Sequence, residues 1–405
     1  MRLEVEVWQS LWDVVSNMTL KASYSLTADR GPASVSNSKA IINSYNTWRP
    51  FTSMKESGLI LSSVENSELT YEKKHELNIG AEIGFIDNRI NIEADWYTRN
   101  NFDLIGLIYT KGTGGQLAKF ANVASMKSSG VEFTVSTRNI KTKDFSWNTD
   151  FIFSHTKNEV TDLQSNASVM DMISGNGFAM EGYPVRALFS MDFQGLNENG
   201  YPTFINEKGQ LTVSDINFQE QLKKDHLVYE GPTDPTMTGS LGNIFRYKGF
   251  TLNAFITYSF GNVIRLDPVF HNVYSDLDAM PREFINRWTA GGDEKVTNVP
   301  VIADKRANQQ DPYLSYAYNA YNYSTERIAK GDFIRMKELS LSYNFPKKMI
   351  SRLKVNDLSL KIQATNLFLI YSDKKLNGQD PEFFNTGGVA SPVPRQFTLT
   401  LRLGI

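Results

Sequence analysis

The stretch KHELNIGAEIGFIDNRINIEADWY, residues 74 to 97, decides the fold class. From Leu77 the chain alternates Leu77, Ile79, Ala81, Ile83 and Phe85 against Asn78, Gly80, Glu82 and Gly84. After the polar turn Asp87-Asn88-Arg89 it resumes as Ile90, Ile92, Ala94 and Trp96 against Asn91, Glu93 and Asp95. Successive side chains of a strand point to opposite faces, so this period of two predicts a hairpin with one apolar and one polar face. In a soluble sheet the apolar face would enter a core; in a membrane barrel it would meet lipid.

The alternation recurs along all 405 residues. Leu20, Ala22, Tyr24 and Leu26 alternate with Lys21, Ser23, Ser25 and Thr27, and Val131, Phe133 and Val135 with Glu132, Thr134 and Ser136. Beyond the turn Lys141-Thr142-Lys143-Asp144 come Phe145, Trp147, Phe151 and Phe153, and later Phe250, Leu252, Ala254, Ile256 and Tyr258. IRMKELSLSYNF and DLSLKIQATNLFLIY flank a turn at Pro346-Lys347-Lys348, and RQFTLTLRLGI closes the chain, for about eleven antiparallel strands in all. Short turns near residues 87, 142, 248 and 347 contrast with long loops at 28–66, 160–180, 195–235, 263–325 and 373–393. Several long structureless loops would be anomalous in a soluble domain, whereas short turns at one end and long loops at the other are the pattern of an outer-membrane barrel. The polar faces also carry Glu and Asp too densely for a dry core. The reading is therefore all-β, an antiparallel transmembrane barrel whose apolar face meets lipid. In one long loop, DLDAMPREFINRW spaces Leu277, Met280, Phe284 and Trp288 three or four apart, which predicts a short helix with Pro281 near its start.

Composition agrees and excludes other classes. A chain 12% aromatic and 21% charged suits strands that are half apolar and half wet. No apolar run has the length of a membrane helix, so any spanning falls to a barrel. The balance of 42 basic against 44 acidic residues, without a basic stripe, speaks against a nucleic-acid surface. With no cysteine there are no disulfides or thiolate sites. His75, His155, His226 and His271 lack metal-site spacing. KGTGGQLAKF (111–120) lacks the Walker spacing and reads as a loop tip, and LNENGYPTFINEKG (196–209) reads as two turns, Glu198-Asn199-Gly200 and Glu207-Lys208-Gly209, rather than a calcium loop. No metal or cofactor is expected. MRLEVEVWQSLWDVV lacks the apolar core and cleavage site of a signal peptide.

Six stretches carry a family resemblance: EGYPVRALFSMDFQGLNENGYPTF (181–204), GSLGNIFRYKGFTLNAFITYSFGN (239–262), FINRWTAGGDE (284–294), DFIRMKELSLSYNFPKKM (332–349), QATNLFLIYSDKKLNGQDPEF (363–383) and PVPRQFTLTLRLGI (392–405). In this order, over almost the whole chain, they resemble the C-terminal half of SusC/RagA-type TonB-dependent outer-membrane transporters. The resemblance implies a barrel of about 22 strands with an N-terminal plug, in the outer membrane of a Gram-negative bacterium. It also implies import of glycans or peptides without catalysis, driven through TonB, with a surface lipoprotein of SusD type as a lid. On that basis residues 1–405 are expected to be the C-terminal half of the barrel, without plug, TonB box or signal peptide, ending in Ile405 where such barrels usually end in an aromatic residue. A half barrel exposes two unpaired edges that lipid does not tolerate, so the chain is expected to be a fragment, or completed by another polypeptide, and not to transport alone.

Candidate contact residues lie in DPYLSYAYNAYNYS (311–324), which holds Tyr313, Tyr316, Tyr318, Tyr321 and Tyr323. Tyrosines stack on sugar faces and donate hydrogen bonds, which suits a glycan importer. Packing within the loop, or an aromatic girdle at the outer interface, is the weightier alternative. Glu82, Glu93, Asp95, Glu132 and Asp150 fall on polar faces and are expected to line the lumen or touch the plug, with no acid and base pairing. Asp380 and Glu382, flanking Pro381, are expected in an outer loop, solvated or paired locally. Two rivals remain: an outer-membrane barrel enzyme, which needs a convergent Ser, His and carboxylate, and a soluble β-sandwich, which would bury the 77–85 apolar face against a second sheet.

Overall fold

A computed structural model describes residues 14–31, 39–47, 56–63, 65–67, 69–109, 118–164, 167–275, 277–351, 355–384 and 394–404. Residues 1–13 of the N-terminal stretch read against a signal peptide, most of the glycine-rich 111–120 and Ile405 lie outside them. The chain runs β1 (Val15–Asp29), a hairpin of β2 (Ile41–Thr47) and β3 (Glu56–Ser63), then β4 (Glu72–Phe85), β5 (Ile90–Tyr109), β6 (Ala118–Lys141) and β7 (Phe145–Leu163). A first excursion holds helix α1 (Val169–Ile173), β8 (Ala187–Met191), β9 (Phe193–Leu196), β10 (Pro202–Ile205), β11 (Leu211–Thr212) and β12 (Leu227–Pro232). After the pair β13 (Met237–Tyr247) and β14 (Phe250–Phe260), a second excursion holds β15 (Val263–Arg265), α2 (Lys305–Gln310), α3 (Leu314–Asn322) and β16 (Ile328–Lys330). β17 (Phe333–Asn344), helix α4 (Lys347–Ile350), β18 (Asp357–Ser372) and β19 (Gln396–Gly404) complete the chain.

Ten strands form one sheet in the order β1-β4-β5-β6-β7-β13-β14-β17-β18-β19, each antiparallel to its neighbours. Its register lines up the apolar residues of every strand. Leu20 opposes Ala81, Ala81 opposes Ala94, Ala94 opposes Phe133 and Phe133 opposes Phe153. A second row runs from Trp147 through Phe245, Leu252, Leu341 and Ile362 to Leu399. This face is bare: Ile79 and Trp96, directly opposite each other, are 48% and 41% exposed, and Leu399 is 69% exposed. Among the described residues no second sheet covers the 77–85 hairpin, which speaks against the sandwich, and the face is the one that meets lipid. The accessible surface, 25997 Å², compares with about 16,000 Å² for a compact soluble monomer of this mass.

The opposite face carries the polar rows. Glu82 opposes Glu93 and Asp95 opposes Glu132; Lys21 pairs with Glu82 and sits 3.7 Å from Glu93, and Ser136 Oγ donates to Asp150 at 2.7 Å. Two tyrosines brace the wall across glycines, Tyr97 on the polar face and Tyr258 on the apolar face, in the row of Phe153 and Phe133. Tyr97 lies over its partner Gly130 and its hydroxyl reaches Thr156 Oγ1 on β7 at 2.7 Å; Tyr258 lies over Gly239 and donates to Ile152 O at 2.9 Å. A side chain at either glycine would displace the ring that covers it.

The wall strands join through tight turns at one end. Tyr247 and Phe250 are linked by Lys248 and Gly249, both at positive φ, a two-residue turn whose twist matches that of the strands. The turn after β4 places Ile86, Asp87 and Asn88 all in the left-handed region, closed by Arg89 N–H on Phe85 O at 2.9 Å.

At the other end the two long excursions are not structureless, contrary to the expectation from sequence. They pack together into a cap with its own dry core of Val169, Met172, Ile173, Phe189, Met191, Phe204, Phe270, Leu314, Tyr318 and Tyr321. The run Ala187–Met191 is buried throughout and belongs to this cap rather than to the wall. The helix expected at 276–288 is instead a 3-10 turn, Arg282–Asn286, starting after Pro281. Leu277 is 94% exposed, while Met280 and Phe284 pack on the core. Proline lacks the N–H that an α-helix entering from Leu277 would need.

Candidate functional site

The tyrosine stretch becomes helix α3, with Leu314, Ala317, Tyr318 and Tyr321 forming one buried stripe. Tyr318 is enclosed and donates its hydroxyl to Val301 O at 2.5 Å, and burial pushes both Tyr318 and Tyr321 well above the usual phenol range. Tyr321 packs edge-on to Phe193 and Phe270, and Tyr323 lies beneath the Arg265 guanidinium at 5.9 Å. Tyr313 and Tyr316 face solvent, 60% and 43% exposed, with ring centroids 5.7 Å apart.

Arg265, 3% exposed, stands where the two excursions meet. Its guanidinium donates to Ser324 O at 2.7 Å, Phe189 O at 2.6 Å, Ser190 Oγ at 3.1 Å and Ile173 O at 3.3 Å. It thereby joins α1, β8 and the end of α3. Burial lowers it to about 9, opposed by the nearby Glu230 carboxylate, so it remains charged at neutral pH. Burial raises Glu230 above the ordinary carboxyl value. Arg327, also buried, pairs with Glu283 and lies over the Phe270 ring at 5.0 Å.

Beneath the cap the wall is bent. Lys337 is the extra residue of a bulge in β17: Met336 faces Ile256 while Glu338 faces Phe255. On β18 the matching irregularity contains Asn366 at φ +52°. The loop after β18 is latched to the same strand. Arg335, buried on the polar face, pairs with Asp380, and its Nε lies 3.2 Å from Glu382 off the hydrogen-bonding direction. The two carboxylates flanking Pro381 therefore serve one cation, 45 residues from Asp380 in sequence.

At this junction lies a cavity of about 600 Å³. Thr238, Thr257, Ser259 and Phe333 line it from the polar face of the wall, Arg186 and Thr233 from the first excursion, and Asn262 and Gly331 from the ends of the second. Pro381, Glu382 and Phe384 line it from the latched loop, and Lys337 from the bulge. Bulges re-aim side chains, and here one places a lysine in a wall of hydroxyls. Sequence reasoning named neither Lys337 nor this cavity. The available signal was a parity break, since the apolar series Ile334, Met336 resumes at Leu339.

A bare apolar band on a long antiparallel sheet, polar rows on its other face, tight turns at one end and a folded cap at the other define a portion of an outer-membrane β-barrel. Comparison with known proteins gives the type. The TonB-dependent receptor P3 of Formosa agariphila is 24% identical over 393 residues, covering 92% of this chain and 37% of the relative. The TonB-dependent receptor SusC of Bacteroides thetaiotaomicron is 26% identical over 357 residues, covering 84% of this chain and 32% of the relative. The solved RagAB peptide transporter superposes with a TM-score of 0.75 at 22% identity, covering 96% of this chain and 41% of that one. No family model matches the chain. The resemblance to SusC/RagA-type TonB-dependent outer-membrane transporters, drawn from the motifs, is thus shown by sequence and fold together. The chain spans 37% of the length of the first of these relatives.

Proposed function

We propose that residues 1–405 form the C-terminal half of the barrel wall, with its outer cap, of a TonB-dependent importer of oligomeric nutrients, either glycans or peptides, and take part in no catalytic step. The plug and the TonB contact lie in the rest of the protein on this reading, and a surface lipoprotein of SusD type closes over the cap. The observation that carries it is the apolar band running, among the described residues, uncovered across ten strands and ending at β1 and β19, each of which has a single neighbour there. Such a wall is stable in lipid only when both edges are paired, which calls for further strands from the remainder of the protein. The likeness to a transporter named for peptides supports a peptide substrate, while the exposed Tyr313 and Tyr316 pair supports a glycan and supplies the contact residues we propose.

The test is to purify the full-length protein from outer membranes in detergent and compare heated with unheated samples by gel electrophoresis. A heat-modifiable band that co-purifies with a surface lipoprotein, together with loss of oligomer uptake on gene deletion, is the expected result. Recovery of the folded chain from the aqueous phase without detergent would refute the proposal.

A further inference from the structure

We propose that the cavity beneath the cap binds a carboxylate-bearing oligomer, with Lys337 as the residue that selects the carboxylate. The inference rests on the importer reading and deepens it by assigning a ligand class to one place in the wall.

The charges in the lining are unequal in what they already do. Arg186 is paired with Asp234 at 2.7 Å, and Glu382 lies beside Arg335. Among the described residues Lys337 has no ion pair or hydrogen bond, although it lines the cavity between the latched loop and the wall. Its position has a conformational cost: the bulge interrupts pairing with both neighbours, and Asn366 opposite is held in the left-handed region. Bulges and sparsely populated backbone conformations of this kind cluster where a side chain is being re-aimed for use.

The remaining lining narrows the ligand. Thr238, Thr257 and Ser259 offer hydroxyls, and Phe333 and Phe384 offer apolar surface. A neutral oligomer filling the cavity would desolvate the ammonium without pairing it, a cation would be repelled, and a carboxylate would satisfy it. The volume lies within the range of about 300–1,000 Å³ typical of small-ligand sites. The required chemistry, a carboxylate on a chain rich in hydrogen-bonding groups, is found both in acidic peptides and in uronic-acid oligosaccharides.

The test measures binding to the full-length transporter in detergent by calorimetry, with two matched pairs of probes. One pair is a triglutamate peptide amide against its triglutamine counterpart, and the other a uronate trimer against a neutral glucose trimer. The expected result is that at least one acidic probe binds about tenfold more tightly than its neutral match, a preference that Lys337→Gln abolishes and Lys337→Arg retains. The responding pair identifies the source. Equal affinity within both pairs, no binding by either acidic probe, or a preference unchanged in Lys337→Gln overturns the inference. Heat-modifiability of each variant establishes that the barrel is folded, and a folded importer that fails this test leaves the importer reading standing.

Discussion

Replacing Arg265 with methionine tests whether the cap is a folded body in its own right. Methionine keeps the length of the side chain and its packing but removes the charge and all four donated hydrogen bonds. Three buried carbonyls, those of Ile173, Phe189 and Ser324, lose their contact with the guanidinium, and Glu230 loses its nearby cation. Ser190 can turn its hydroxyl elsewhere. Ser324 O keeps the Arg327 N–H at 3.0 Å, but a hydrogen bond to a charged group is worth about 1.5–3 kcal/mol and the two shortest, to Phe189 O and Ser324 O, carry most of the effect, so we take about 3–5 kcal/mol as the loss in cap stability. By hydrogen exchange in detergent, amides of β8 and of residues 324–328 should then lose about two to three and a half decades of protection, because 1.4 kcal/mol is a factor of about ten. Wall amides such as Val131 to Val135 should keep theirs. Arg265→Lys, which keeps the charge but cannot reach acceptors in several directions, should fall between the two. Cap protection unchanged within about tenfold in Arg265→Met would refute the reasoning, and so would a wall that opens together with the cap.

The wall offers two further tests. A Cβ at Gly130 would sit 2.5 Å from Tyr97 Oη and 2.7 Å from His155 O, so Gly130→Ala should expel the ring and lower the barrel's urea midpoint by the equivalent of about 1–3 kcal/mol. An unshifted midpoint would show that the ring is not held there. Ala81→Arg, on the apolar row, should cost about 2–4 kcal/mol in a lipid-refolded barrel, and Ser136→Arg on the polar face close to nothing; equal costs would contradict the assignment of faces. In the cap, burial raises the Glu230 carboxyl, so the folded form holds that proton more tightly than the opened form. The stability it contributes is complete below its ordinary value of 4.5 and is lost as pH rises through the raised value. Cap protection factors, corrected for intrinsic exchange, should decline over that window in the wild type and stay flatter in Glu230→Gln; parallel curves would remove Glu230 as the cause.

The sequence by itself determined the wall. Leu77 to Phe85 and Leu339 to Tyr343 alternate because each residue's own extended backbone sends its side chain to one face, and that information is local. The parity break at Lys337 was equally local, as was the helical stripe of Leu314, Ala317, Tyr318 and Tyr321, which the clustering of tyrosines obscured. The tertiary structure alone decided that the long excursions share a core, that Pro281 admits only a 3-10 turn, that Arg265 joins three segments, and that Arg335 meets Asp380. It also decided that one cavity gathers residues from the wall, both excursions and the latched loop. These meetings join residues tens of positions apart, and they depend on strand register and on which surfaces pack. No short window of sequence holds that information, because the energy that selects them comes from burying distant groups against one another.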